Sequence, residues 1–339
     1  MKANRRFSAL VFAVAAMAFQ AAGPVAADDF YKGKTIHIVV GNAPGGGFDF
    51  YARAVARHLP KYIAGQPTIV VENMPGAGSL RALQFLSVNA PKDGTYIGPL
   101  NPNLVNLSVL EPKTTETVDF EQLNWLGSLG AIPKVCFTWY ESGIDTLDDL
   151  KSKQLILGGQ AKGSGDVYGA VLKAIYGDHV RLVLGYESNA HVWIAFEKGE
   201  LNANCTGWTG LPRRKPDWIR DGKIKYLVQF AKKPIPALPN VPLVYDLPLS
   251  DDLRRAIEFL TLGDAIARPF TAPPGVPAAQ LQILRDAFAR MAVDKEFRAF
   301  MEKEDLDVSY QSPEDVANVV KAMRDTPKKS VDVARELSR

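Results

Sequence analysis

Cysteine is scarce in this chain: Cys136 and Cys205 are the only two among 339 residues. That excludes a cysteine-rich zinc site, and none of the four histidines (His37, His58, His179 and His191) stands at metal-ligand spacing from another. Each histidine by itself reads as a surface or capping residue. Long apolar runs are lacking too. The run from Ala9 to Phe19 falls short of the ~20 residues that span a bilayer, and no longer one follows it. Charge of one sign is absent: lysine plus arginine total 40 against 37 for aspartate plus glutamate, and Lys2, Arg5 and Arg6 account for the difference. With those three set aside the chain is near neutral, which points away from a nucleic-acid partner. There is no heptad pattern or fixed-period repeat. The glycine cluster at 45–47 is not G-x-G-x-x-G, because Phe50 takes the last glycine's place, and it lacks the P-loop lysine. No nucleotide cofactor and no metal are therefore expected. A G-x-S-x-G elbow is also missing, which weakens the case for a serine hydrolase.

The first residues carry a targeting pattern. Lys2, Arg5 and Arg6 precede the short apolar run, and Val25 and Ala27 place small side chains where a signal peptidase reads. Cleavage before Asp28 is expected, making residues 1–27 a signal peptide of an exported, bacterial periplasmic protein. An uncleaved anchor is the weaker alternative. In an oxidising compartment the two cysteines can pair.

The remainder is rich in apolar residues and long enough for two lobes. Its organising stretch is Ile36–Arg53, IHIVVGNAPGGGFDFYAR. Ile36, Ile38, Val39 and Val40 suit an interior strand, and Pro44 with Gly45, Gly46 and Gly47 stops it. Asp49 stands where a helix begins, with Tyr51, Ala52, Val55, Ala56 and Leu59 as its apolar side. Helix N-termini present unpaired N–H groups and partial positive charge, so the loop suits an anion such as a carboxylate. A tight turn without a ligand is the competing reading. For Asp49 the two readings are a ligand contact and a helix cap.

Further along, Thr68–Glu72 reads as a second strand, ending in Asn73–Ser79 with Ser79 as a helix cap, and Tyr96–Leu100 as a third, ending at Asn101–Asn103. This β-α-β-α-β unit predicts a parallel sheet with its loops along the carboxyl edge. Past Asn124–Leu129 a second alternating lobe follows. Its strands are Val135–Tyr140, Leu155–Gly158, Arg181–Tyr186, Ala203–Trp208 and Ile224–Phe230, with helices at Val167–Tyr176 and Val192–Lys198. Its loop GGQAKGSGD, from Gly158 to Asp166, is a second candidate anion seat. Lys232–Pro248 has a linker's composition, and Gly263–Arg268 is expected to be a strand returning to the first lobe. Amphipathic helices are predicted over Ala278–Met291 and from Ser312 onward, where Ser312 and Asp315 form a capping pair. The carboxyl end reads as a charged surface helix.

Four segments, APGGGFD (Ala43–Asp49), VENMPGAGS (Val71–Ser79), APKDGTYIG (Ala90–Gly98) and APPGVP (Ala272–Pro277), stand in the order and spacing of one family. The chain resembles the periplasmic substrate-binding proteins of tripartite tricarboxylate transporters, the Bug or TctC-like proteins, over essentially its whole mature length. The resemblance implies an α/β, type II periplasmic-binding-protein fold with crossing strands and a central cleft. One lobe would comprise residues 28–128 and 251–339, the other 129–250. It implies a monomer that holds a small carboxylate and delivers it to membrane transporter subunits. Carried over by position, the ligand contacts would be Gly45, Gly46, Phe48, Asp49, Gly76, Ala77 and Asn101, with Ser164, Tyr186, Ser188 and Asn189 from the second lobe. The family topology also sets the two cysteine-bearing strands side by side. That allows a cross-strand disulfide if the Cα atoms lie within ~7 Å; two buried thiols are the other reading.

The chain departs from the family after Tyr186, where Glu187 and Ser188 replace a common basic residue and glycine, and at Asn202, where the family has an aspartate. An added acid near the mouth argues against a tricarboxylate. A ligand with one or two carboxylates is expected, aromatic if Phe48, Tyr186, Trp193 and Trp208 shelter it, although for Trp193 and Trp208 a place in the core is the favoured reading. Neutral donors at ~1.5–3 kcal/mol per charge-assisted bond supply the affinity without a buried arginine. The cluster Arg213, Arg214 and Lys215 reads as a solvated loop. Receptors for ABC or TRAP importers are the alternative, and an exported hydrolase built on Ser164 and His191 the less favoured one.

Overall fold

A computed structural model describes residues 30–159, 167–186, 189–208, 211, 215–304, 306 and 308–338. The expected signal peptide, Ser164, Glu187, Ser188, Arg213 and Arg214 lie outside the described residues. Among the described residues, ten strands form two five-stranded sheets. The first has the order β2-β1-β3-β10-β4 and is built from β1 (Thr35–Val40), β2 (Thr68–Asn73), β3 (Tyr96–Pro99), β4 (Asn124–Ser128) and β10 (Pro269–Ala272). The first three run parallel, and β10 lies antiparallel between β3 and β4. The second sheet has the order β7-β6-β8-β5-β9, from β5 (Lys134–Trp139), β6 (Leu155–Gly159), β7 (Val180–Leu184), β8 (Ala203–Gly207) and β9 (Ile224–Phe230). Here β6 runs parallel to β7 and β8, and β5 antiparallel to β8 and β9. The helices of the first half are α1 (Gly47–His58), α2 (Leu80–Gln84), α3 (Asn103–Leu110), α4 (Val167–Tyr176) and α5 (Asn189–Glu197). Those of the second are α6 (Pro216–Arg220), α7 (Asp251–Ala265), α8 (Ala278–Val293), α9 (Lys295–Lys303), α10 (Pro313–Arg324) and α11 (Lys328–Leu337).

The parallel strands form where β-branched runs end in glycine or proline, as their sequences predict. Ile36, Ile38 and Val40 of β1 are buried with Tyr51, Ala52 and Val55 of α1, and with Leu284, Phe288 and Met291 of α8. The predicted capping pair is present: the Ser312 side chain accepts from Asp315 N–H, and Asp315 accepts from Ser312 N–H. Cys136 and Cys205 face each other across β5 and β8, 4.0 Å apart at Cα, and are joined by a disulfide.

Several expectations are corrected. Gly263–Arg268 is not a strand: Gly263 lies inside α7, and the returning strand is Pro269–Ala272. The reason is the period of the preceding residues. Ala256, Ile257, Phe259, Leu260 and Leu262 are buried on one helix, which Ser250 caps by accepting from Leu253 N–H. Lys232–Pro248 is held down against the second sheet, unlike a loose linker. The buried amide of Gln229 donates to the Leu238 and Val241 carbonyls and accepts from Ile235 N–H. The final helix, α11, is not merely a surface element, since Val331 and Ala334 are buried. Ser79 occupies the cap position of α2 but makes no capping bond.

The chain crosses between the sheets at Leu129–Pro133 and returns through α7. These two passages are bonded to each other: Leu129 N–H donates to the Arg268 carbonyl at 3.1 Å and Ile132 N–H to the Asp264 carbonyl at 2.8 Å.

Candidate functional site

Three loops gather at the carboxyl ends of β1, β2 and β3, and specific bonds join them. The Asn73 amide donates to the Asn42 carbonyl at 2.9 Å and Met74 N–H to the Val40 carbonyl at 2.8 Å. The Ser79 hydroxyl donates to the Asn42 side-chain oxygen at 3.2 Å. The Asn101 amide reaches the Gly78 carbonyl at 3.4 Å. A Cβ on Gly41 would lie 2.4 Å from that of Ser79, so a side-chain-free residue is what lets the first two loops touch.

The second loop is strained. Gly76, Ala77, Gly78 and Ser79 all have positive φ, of 146°, 46°, 62° and 82°. For Ala77 and Ser79 this conformation costs on the order of 1–3 kcal/mol each, a strain that concentrates at functional sites.

Asp49 braces the first loop and does not cap the helix. The N-cap of α1 is Gly46, which has no side chain to offer. Asp49 is 2% exposed, and its carboxylate accepts from Gly45 N–H at 2.9 Å, from Arg53 at 2.9 and 3.0 Å, and from the Asn73 amide at 2.8 Å. These partners, Arg53 foremost, hold its pKa down at about 2 against the opposing effect of burial. The carboxylate is thus ionised and fully engaged at neutral pH.

The predicted residues of this lobe fall together. Gly45, Gly46, Gly76 and Ala77 are exposed on the loops, and Phe48 and Asn101 are half-buried beside them. In the second lobe Tyr186 follows β7. Its N–H donates to the Gly159 carbonyl at 3.2 Å, and its ring stands over Gly158, where a Cβ would come within 3.0 Å. Asn189 opens α5. Of the aromatic residues, Trp193 is buried with Phe137, Phe196 and Trp218 and belongs to the core. Trp208 is half-buried after β8, edge-on to Tyr226. Lys215 is not a solvated charge: it pairs with Glu197 at 2.9 Å and stacks on Trp218.

Sequence reasoning missed Arg268. Its guanidinium lies 4.6 Å from the ring centre of Phe48 and 5.2 Å from that of Tyr51, directly against the first loop. Burial pushes its pKa below the ordinary arginine value. Arg268 is half-buried beside this loop, a charged side chain that the expected set of neutral donors does not include. No local pattern signals this residue, because Phe48 and Tyr51, whose rings it faces, lie more than two hundred positions away in sequence. A separate groove of about 1090 Å³, lined by Phe120, Trp125, Arg285 and Ser312 among others, contains none of the loop residues.

No known protein-family profile matches the chain. A protein of Cupriavidus necator, described as the UPF0065 protein in the gbd 5' region, is 24% identical over 318 residues, which span 90% of this chain and 89% of that protein. A TctC solute-binding protein from Polaromonas superposes with a TM-score of 0.67 at 17% identity, over 91% of this chain and 98% of the other. MatC from Rhodopseudomonas palustris, solved with bound malate, superposes with a TM-score of 0.60 at 18% identity, over 90% and 99%. The fold is that of the periplasmic binding proteins. Within that class the chain resembles the TctC and Bug solute-binding proteins along nearly its whole length.

Proposed function

We propose that this chain is a periplasmic solute-binding protein that captures a small mono- or dicarboxylate between two hinged lobes. The lobes are residues 28–128 with 251–339, and 129–250. The reading rests on one observation above others: the exposed glycine loops after β1 and β2 are locked into one rim, with the strain of Ala77 and Ser79 held in place by Gly41 and Asn42. The first N–H groups of α1 have no partner within the helix and open onto this rim, a natural seat for a carboxylate. That MatC was solved with malate supports an organic acid of this size.

Capture follows from differential affinity. The acid meets the first-lobe rim, and contacts from the second lobe, with Tyr186 and Asn189 among the candidates, favour the closed state. The paired crossing segments Leu129–Pro133 and Asp264–Arg268 serve as the hinge. The closed form then presents its ligand to the membrane subunits of a tripartite tricarboxylate-type transporter. Binding without chemical conversion is what the rim offers, since the Asp49 carboxylate is saturated by its own partners.

Thermal-shift and calorimetric screening of the mature protein against malate, adipate, benzoate and citrate tests this reading. Stabilisation by one or more of the first three is expected. Stabilisation by citrate alone, or by no acid, rejects the ligand class.

A further inference from the structure

Arg268 carries a positive charge into a place that is already positive. Its Nη2 approaches Gly47 so closely that a Cβ there would stand 3.1 Å away, at the first residue of a twelve-residue helix. A cation at a helix N-terminus meets the wrong end of the dipole. No carboxylate pairs with Arg268 among the described residues. Asp49 is taken by Arg53, Gly45 and Asn73. Asp264, four positions upstream, is taken by Tyr168 at 2.6 Å and Lys134 at 3.8 Å. Of the guanidinium donors, Nη1 bonds the Ala267 carbonyl at 2.7 Å, whereas Nε is buried with no acceptor. The edge formed by Nε and Nη2 is the one that binds a carboxylate as a two-pronged fork. Phe48 and Tyr51 hold the guanidinium plane in place by cation–π contact.

We propose that Arg268 is the charged anchor of this site, its Nε–Nη2 edge receiving a ligand carboxylate that also meets the N–H groups at the start of α1. This deepens the proposed function and rests on it. The converging positive charges make the site selective for an anion over an isosteric neutral molecule. A fork selects a planar carboxylate, so that one acid group of the solute is fixed in orientation as well as in place.

The test compares the mature wild-type protein with Arg268→Gln and Arg268→Lys, using malate, adipate and benzoate together with their amides malamide, adipamide and benzamide. Wild type should bind at least one acid and none of the amides. Arg268→Gln should bind that acid about thirtyfold more weakly or worse, the expected loss for a charge-assisted pair, and should lose the preference for acid over amide. Without ligand it should melt no lower than wild type, because an uncompensated charge has been removed. Arg268→Lys keeps the charge but not the fork, and should bind about tenfold more weakly. If Arg268→Gln fails to fold, the lysine variant decides alone. Acid binding in the folded variants within twofold of wild type overturns the anchor and leaves the carboxylate reading standing. Failure of every acid to bind wild type overturns both.

Discussion

Replacing Asp49 by asparagine removes one charge from the centre of the rim and leaves its shape. The wild-type carboxylate is lowered from 3.8 to about 2 by Arg53, Gly45 and Asn73. At 1.36 kcal/mol per unit, that shift corresponds to roughly 2.5 kcal/mol of stability at neutral pH. Arg53 is half exposed, with 53% of its side chain open to solvent, so screening brings the figure nearer to roughly 1–2 kcal/mol. For an acid whose pKa is lower in the folded state, this stability is present above the unfolded value and is lost as pH falls toward the folded one. Asp49→Asn should therefore be destabilised at pH 7, by an amount that shrinks to about half by pH 3. Urea titrations of both proteins at pH 7, 5 and 3 read this directly. An equal deficit at every pH would mean that lost packing, not the ionised brace, is responsible. No deficit at pH 7 would refute the brace altogether. In the same samples Asp49→Ala should melt lower. If the residue acts only by shaping the loop, it should still bind acid measurably, and complete loss of binding in a folded variant would instead make Asp49 a direct ligand contact.

Gly41→Ala should push the strained second loop away, because the new methyl would meet Ser79 at 2.4 Å. A loss of about 1–3 kcal/mol, together with weakened acid binding, is expected in denaturant and calorimetric titrations. Reduction, or the double substitution Cys136→Ala with Cys205→Ala, should lower the melting temperature. The disulfide closes a sequence separation of 69 residues, for which chain entropy gives about 4 kcal/mol, and intact mass after alkylation confirms the bond. Asp264→Asn should be neutral or stabilising at pH 7. Burial raises the folded pKa of this acid, so its charged form costs stability above that pKa and nothing below the unfolded value. The advantage over wild type should accordingly fade as the pH of a melting series is brought down to about 4.

The strands were largely legible because their signal is local. Runs such as TIHIVV and TIVVEN sit between glycine and proline turns, and β-branched residues suit a pleated surface wherever it is placed. The helix Asp251–Ala265 was not, because Ile257–Leu262 reads as a dense apolar patch until its two packing partners are known. Ile257 packs toward the second lobe's core, while Phe259 and Leu260 pack in the first. The composition of Lys232–Pro248 resembles a linker, and only the reach of Gln229 across it shows otherwise.

By itself, then, the order of residues determined the alternation of strands and helices, the glycine turns and the capping of the helix from Pro313, since each depends on neighbours a few positions apart. Tertiary structure alone decided the rest. Asn73 completes the brace around Asp49 from 24 positions away, Cys205 meets Cys136 in strand register, and Arg268 stands against Phe48 across more than two hundred intervening positions. A guanidinium in a sequence carries no record of which acid it will or will not find. Its partners are set by how the two sheets pack, and here packing leaves it facing a loop instead of a carboxylate.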